Sequence, residues 1–378
     1  MYRASALVGT ASRKTTSVFG ELAVPIVGEG NAIPGFQELL LTGAVRYAHS
    51  SNVSDATVYR IGLGWTVVDG MKVTASHGTS FRAPSVFDLS EPLSGVITPT
   101  PDFGCPQSLA GGPPCFGLTQ NNFGGNADLE PEEGESWTVG VEIKPAFATG
   151  LRFGAEMQNI DFTGRIVDPL GEFGLEFTTA NTALFPGVIV RDGSGMLMSL
   201  NAIPINLAQT QSRAYDVFAH YNFTTGLGRV LLSYDGTFQA RLNETILPGT
   251  PALALAGTSY RGPHWRHRAS MNFSPTVLPN ATLTFDVNHL PGYTHFVGAR
   301  GRDTSTGSTT VQQVDSFTMF DLFGSYRLDQ TNDPLTGGWR VFAGVNNVFD
   351  EETPFLDTTL GFDVLNGNPY GRRFSLSI

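Results

Sequence analysis

Apolar and polar side chains alternate one by one through much of this chain. In residues 136–144 the odd positions are Trp137, Val139, Val141 and Ile143, while the even ones are Ser136, Thr138, Gly140, Glu142 and Lys144. A period of two puts each set on its own face of a β-strand. The same alternation runs through 39–47, 59–67, 151–158, 215–223, 230–239 and 281–288. Strand-like stretches near 18–25, 71–82, 264–273, 314–328, 339–349 and 370–378 complete the set. The pattern is untidy at 317–327, and His267 falls on the apolar side of its strand. The reading predicts about thirteen strands, most of them nine or more residues long.

The connections alternate too. Short ones fall at 68–70, 145–150, 224–228 and 274–280, and long ones at roughly 83–135, 164–212, 240–263, 290–312 and 350–369. Only the turn at 26–37 is longer than this scheme wants. Long loops therefore gather at one end of the sheet and tight turns at the other, as in outer-membrane barrels. Aromatic residues add two levels. Tyr47, Tyr59, Trp137, Tyr215, Phe238 and Trp265 fall at the long-loop ends of their strands, and Trp65, Phe153, Phe223, Phe273 and Trp339 near the other ends. Rings on the apolar parity at two heights match two membrane–water interfaces. A β-sandwich also alternates, but its strands run nearer five or six residues; nine to thirteen suits a tilted bilayer crossing. Hydrocarbon demands that every backbone donor be paired, so such a sheet must close. Thirteen is an odd number, and bacterial single-chain barrels have an even one, so further strands are expected.

Composition narrows the classes. Charged residues are 15% of the chain, the net charge is −11, and no Lys/Arg run exists, which argues against a nucleic-acid partner. No stretch of 18 apolar residues suggests a spanning helix. The opening MYRASALVGTASRK reads poorly as a signal peptide, because its apolar centre is short and broken. Cys105 and Cys115, close together in a Gly/Pro-rich segment, suggest a disulfide and an oxidising compartment. No nucleophile elbow, zinc helix motif or P-loop appears, so neither an enzyme nor a cofactor is expected. His264 and His267, three apart, point to opposite faces of a strand and do not share a metal. The acidic run Asp128, Glu130, Glu132, Glu133 and Glu135 lacks EF-hand spacing and reads as a solvated loop face, so no metal site is expected.

Two separated motifs carry more. The segment SFRAPSVFDL closes one strand on Phe81, Arg82, Ala83 and Pro84, and NADLEPEEGESWTVGVEI, with Asn126, Leu129, Pro131 and Glu132, opens the next. Pro84 has no N–H to continue the ladder, and Pro131 holds Glu130 extended. In VFAGVNNVFDEETP, Asn346, Asn347, Phe349 and Asp350 form a corner at a strand end, where Asn side chains bond the backbone. These motifs, in this order, together with SVFGELAVPI and YGRRFSLSI, resemble the barrel of TonB-dependent outer-membrane receptors over nearly the whole chain. Ala127 stands where the family usually has proline.

The resemblance implies an all-β fold, an antiparallel transmembrane β-barrel of about 22 strands with a plugged lumen. The strands read here would be about 13 of those, leaving about nine unaccounted for. Residues 1–378 would then be the C-terminal portion of the barrel, with no plug domain, in the bacterial outer membrane. On this reading the chain is a fragment, not competent to transport alone. The implied function is energised uptake of a scarce ligand of the ferric siderophore, cobalamin or glycan class. The implied partners are outer-membrane lipid, the TonB–ExbB–ExbD complex through the N-terminal plug part, and a small-molecule or glycan ligand. Phe103, Phe116 and Phe123 are the loop aromatics expected to meet ligand. Arg46, Arg60, Lys72, Glu142, Lys144, Arg152, Glu156, Arg266 and Arg268 would point inward, either holding a plug or solvating a wet lumen. A passive porin and a secreted β-sandwich binding module are the alternatives.

Overall fold

The computed structural model describes residues 12–51, 53–259, 261–296, 311–328, 338–358 and 360–378. Most of the opening segment weighed as a signal peptide lies outside them, as does most of the connection at 290–312. One antiparallel sheet runs through thirteen strands, each hydrogen-bonded to the next in chain order. They are β1 (Thr15–Val27), β2 (Glu38–Ser50), β3 (Val53–Val68), β4 (Met71–Arg82), β5 (Glu132–Ile143), β6 (Leu151–Thr163) and β7 (Gln209–Thr225), followed by β8 (Gly228–Thr245), β9 (Trp265–Pro275), β10 (Ala281–Leu290), β11 (Phe317–Arg327), β12 (Arg340–Asn346) and β13 (Arg373–Ser377). The order is that of an up-and-down meander, and among the described residues β1 and β13 are its edges.

Cross-strand register places the two parities on opposite faces. Tyr59, Ile61 and Leu63 share a face with Val45, Gly43 and Leu41, and with Ala75 and His77 across β4. That face continues through Trp137, Val139 and Val141 of β5 to Phe285 and Leu322 of β10 and β11. Among the described residues no second sheet lies above its side chains. Val45, Ile61, Trp137, Val139, Leu283, Leu322 and Phe374 are between 44% and 77% exposed. A soluble monomer does not present so continuous an apolar face to water; a bilayer is the solvent that suits it. Aromatic stacks mark the two heights. Near the long loops, Phe238 lies between Tyr215 and Trp265, at 6.4 and 4.9 Å. Near the tight turns, Phe36 stacks on Trp65 at 5.0 Å, Trp65 Nε1 donates to Gly35 O, and Tyr221 stacks on Phe223 at 4.6 Å. The long 26–37 turn thus adds an aromatic to the inner belt.

The buried hydrophobic core lies elsewhere. Val167, Phe173, Phe177, Phe185, Val188, Leu200, Leu207, Ile246 and Leu255 cluster in the long connections after β6 and β8. The strands themselves contribute rows without a dry interior, and the loops build one. That division follows from composition: Phe173, Phe177 and Phe185 sit in a segment with no period of two, and their rings pack 5.3 to 6.1 Å apart.

Candidate functional site

The long connection after β4 leaves through a neck made by the two sequence motifs. Arg82 ends β4 and faces Glu132 at the start of β5. Arg82 donates to Glu132 from Nε at 2.6 Å and Nη2 at 2.5 Å, and Ile166 N–H donates to the same carboxylate at 2.8 Å. The Glu132 side chain is 9% exposed and that of Arg82 66%. Glu132, read as part of a solvated acidic face, is therefore the buried member of a bidentate latch. Pro84 O accepts from Arg13 Nη2, while Asn126 Nδ2 donates to Pro204 O. Leu129 is buried beside the neck.

Beyond the neck the connection is ordered. Residues Ser94–Asp102 and Cys115–Phe123 form a hairpin, joined by the Cys105–Cys115 disulfide at its tip. Strand Cys115–Phe123 pairs in parallel with Leu197–Ala202 of the next long connection, which pairs with Ile189–Arg191. Arg191 clamps Asp102 with bonds of 2.6 and 2.8 Å, and Asp102 is 2% exposed. Asp168 caps the helix Pro169–Ala180 by accepting from Leu170 N and Gly171 N. Gly174, at φ 77°, breaks that helix and turns Phe173 and Phe177 into the core. Glu244 at the top of β8 is 1% exposed and accepts from Arg165 at 2.8 Å and Arg261 at 3.1 Å. Glu172 accepts from the same two guanidiniums at 3.0 and 2.7 Å. Further round, Ser259 N–H donates to Thr294 O, and Tyr293, in the hairpin beyond β10, donates to Asp363 at 2.7 Å. The connections thus form one continuous cap. Burial, then the hydrogen bond to Asp363, pushes the Tyr293 phenol far above its ordinary range.

The cap does not gather the three expected aromatics. Pro101 and Phe116 face each other at one end of the hairpin, and Ser94 and Phe123 at the other, roughly 23 Å apart at strand rise. Phe103 is half-buried, its N–H bonded to Thr179 Oγ1. Phe116 instead joins Leu118 and Ile97 on the open face of the hairpin, at 69%, 74% and 62% exposure. The opposite face carries the buried polar set Thr100, Thr119 and Asn121, satisfied by bonds from Asn121 Nδ2 to both threonines and to Thr98.

On the polar face of the main sheet the charges tie to one another. Glu142 meets Lys144 at 2.8 Å and Arg152 at 3.9 Å, and His220 bridges Arg152 to Asp235 at 3.0 and 3.1 Å. Lys72 faces Glu142 in register, whereas Glu156 faces a like charge, Asp216, which accepts from Thr237 instead. Arg268 approaches Asp286 at 3.6 Å, Arg266 reaches Asn366 at 2.8 Å, and Arg46 and Arg60 contact Ser17 and Ser76 at 3.3 and 3.5 Å. Asp286 faces Asp321 across β10 and β11, both nearly buried. At the corner after β12, Asn347 (φ 52°) bonds Asp321 through its N–H and Glu351 through its side chain, so it holds the turn. Asp350, at φ 59°, accepts from Arg372 N–H. Phe349 stands 68% exposed, edge-on to Phe320, and Asn346 ends β12 opposite Arg373. Phe81 and Ala83 flank Arg82 at the neck, and Phe81 pairs with Glu133.

Among the described residues no group of three or more acidic, His or Cys side chains is placed to hold a metal ion. Sequence reasoning missed Asp102, Arg191, Glu244 and Asp321. Asp321 keeps the polar parity of its strand, facing Asp286; Phe317, Met319 and Phe323 on that same face are what make the alternation at 317–327 untidy.

Comparisons agree with this geometry. A model of the TonB-dependent receptor-like β-barrel matches residues 2–348. The ferric enterobactin receptor of Pseudomonas aeruginosa, solved with enterobactin, superposes at TM-score 0.62 and 17% identity, over 96% of this chain and 44% of that one. A siderophore receptor from Acinetobacter baumannii gives TM-score 0.62 at 12% identity, over 98% and 46%. The ferripyoverdine receptor of Pseudomonas aeruginosa gives 0.51 at 12%, over 93% and 36%. This chain spans less than half the length of each. With an unclosed meander of long strands, an apolar face between two aromatic belts and a family model covering nearly all of it, the chain belongs to the β-barrel of TonB-dependent receptors, proteins of the bacterial outer membrane.

Proposed function

We propose that this chain is the C-terminal portion of a receptor barrel, 1–378, working with a plug part and further strands supplied ahead of it. The whole receptor binds a scarce ligand outside the cell, of the ferric siderophore, cobalamin or glycan class, and TonB, ExbB and ExbD drive its passage by rearranging the plug. No covalent chemistry on the ligand is needed. The observation that carries the reading is the cap: the connections at one end of the barrel wall pack around their own core, a rigid platform of the kind that presents a binding surface. Phe116 is the best placed of the three aromatics to meet an aromatic or apolar ligand, because it stands open beside Leu118 and Ile97. The inward ionic ladder gives a plug charged groups to hold.

The test is uptake. Cells lacking their own receptors receive the complete receptor that includes this chain, and labelled ferric siderophore, cobalamin or oligosaccharide is supplied with and without TonB. TonB-dependent accumulation of one class, lowered by Phe116→Ala, is expected. Steady open channels in planar bilayers without saturable uptake would identify a passive porin instead. A chain that stays monodisperse in water without detergent would remove the membrane reading altogether.

A further inference from the structure

The chain has seven histidines, and most are already engaged. His49 and His77 pair with Asp55 and Glu135, at 2.7 and 2.9 Å. His220 lies between Arg152 and Asp235, His264 bonds Gln239 O, and His295 bonds Ser259. His267 and His289 differ. They are direct register partners on β9 and β10, on the outward face, with ring centroids 5.7 Å apart.

Each of these rings is held by one nitrogen. His267 Nδ1 is 2.9 Å from the Tyr234 hydroxyl, and His289 Nδ1 is 2.8 Å from Thr318 Oγ1. Among the described residues neither Nε2 has a hydrogen-bond partner. The Tyr234 arm has its own support. Gly236 stands opposite His267, and a Cβ there would meet the Tyr234 hydroxyl at 2.8 Å. Glycine at 236 is what lets Tyr234 lie along the strand and reach the ring. Trp265 stacks on the other side of His267 at 5.2 Å. The outward positions of β8 to β11 next to the pair are Tyr234, Gly236, Trp265, Ala269, Val287, Thr318 and Phe320, with no carboxylate among them.

Imidazoles fixed through Nδ1 by an oxygen, with Nε2 free, are the usual state of metal-ligating histidines. Directly opposed residues carry Cβ atoms about 4.5–5.5 Å apart. Two Zn–N bonds of about 2.0–2.1 Å place the nitrogens roughly 3.3 Å apart, which side-chain rotation across this gap supplies. We propose that His267 and His289 form a two-histidine site for a divalent transition-metal ion (Zn2+, Ni2+ or Cu2+), at the membrane surface just below the cap. Water completes the coordination. Tyr234 and Thr318 are positioning residues that orient the rings. Mg2+ and Ca2+, which take oxygen ligands, do not bind here. The pair was invisible to the sequence argument, which tested His267 only against its neighbour His264.

The test uses the full chain folded in detergent micelles, titrated with Cu2+ and Zn2+ and followed by calorimetry and by the nitrogen hyperfine pattern of bound Cu2+. One ion per chain with two equivalent nitrogens is expected. His267→Ala and His289→Ala should each abolish that signal, and His264→Ala should leave it intact. Tyr234→Phe should weaken binding about tenfold, the lower end of the effect of removing such a support. Far-UV circular dichroism checks that each variant stays folded. Binding that survives both single alanine variants, a single-nitrogen signal in the parent, or no binding there at all overturns the site. Unchanged affinity in Tyr234→Phe overturns the positioning role.

Discussion

The neck latch allows a sharp test, because its two members differ in exposure. Glu132 is nearly dry and accepts three charge-assisted bonds; Arg82 keeps two thirds of its side chain in water. Removing one member of a buried pair costs about 3–5 kcal/mol, chiefly because the other charge is left uncompensated. Arg82→Met strands the buried carboxylate with only the Ile166 N–H, so about 3 kcal/mol is expected. Glu132→Ala strands a guanidinium that water already reaches, which is cheap. Its main loss is the Ile166 donor, about 2 kcal/mol in all. The exposed partner should therefore be the costlier one to remove, the reverse of a burial count. Their coupling in a double-mutant cycle should be about 1–2 kcal/mol, reduced from a fully buried pair by solvent around Arg82. Denaturant unfolding of the chain in micelles, followed by tryptophan fluorescence, measures all four corners. Amide exchange at Ile166 should accelerate in Glu132→Ala and stay nearly unchanged in Arg82→Met. A larger cost for Glu132→Ala, or a coupling below about 0.5 kcal/mol, would refute the latch.

Three further predictions concern the cap. Glu244→Gln removes one of the two carboxylates that Arg165 and Arg261 share and leaves them Glu172, so it should cost about 2 kcal/mol, the loss of charge-assisted bonds rather than of a whole pair, read as faster limited proteolysis within 164–208 while the strands stay protected. Cys105→Ser opens a loop of sequence separation 10 and should destabilise the 94–123 hairpin by about 3 kcal/mol, visible as protease cleavage there that reduction reproduces in the parent. The raised Tyr293 phenol means the folded cap holds that proton more tightly than the unfolded chain. Its contribution is complete below the ordinary tyrosine value of about 10 and is lost as pH rises beyond it towards the higher folded value. Tyr293→Phe should remove this alkaline decline in cap stability, measured by amide exchange of residues 293–296 at increasing pH.

Alternation by itself determined the main sheet. Each strand reports its own two faces through nearest neighbours along the chain, so Trp137 and Val139 declare a lipid-facing row without any knowledge of β4 or β6. Tight turns and long connections declared which end is which, and Pro84 and Pro131 marked the neck. Tertiary structure decided the rest, since each remaining feature joins residues far apart in sequence and no local period encodes such a meeting. Arg82 meets Glu132 across 50 residues, Asp102 meets Arg191 across 89, and Arg165 meets Glu244 across 79. The same reason turned a presumed solvated glutamate into a buried latch, placed Phe103, Phe116 and Phe123 in separate parts of the cap, and set His267 beside His289 rather than beside His264.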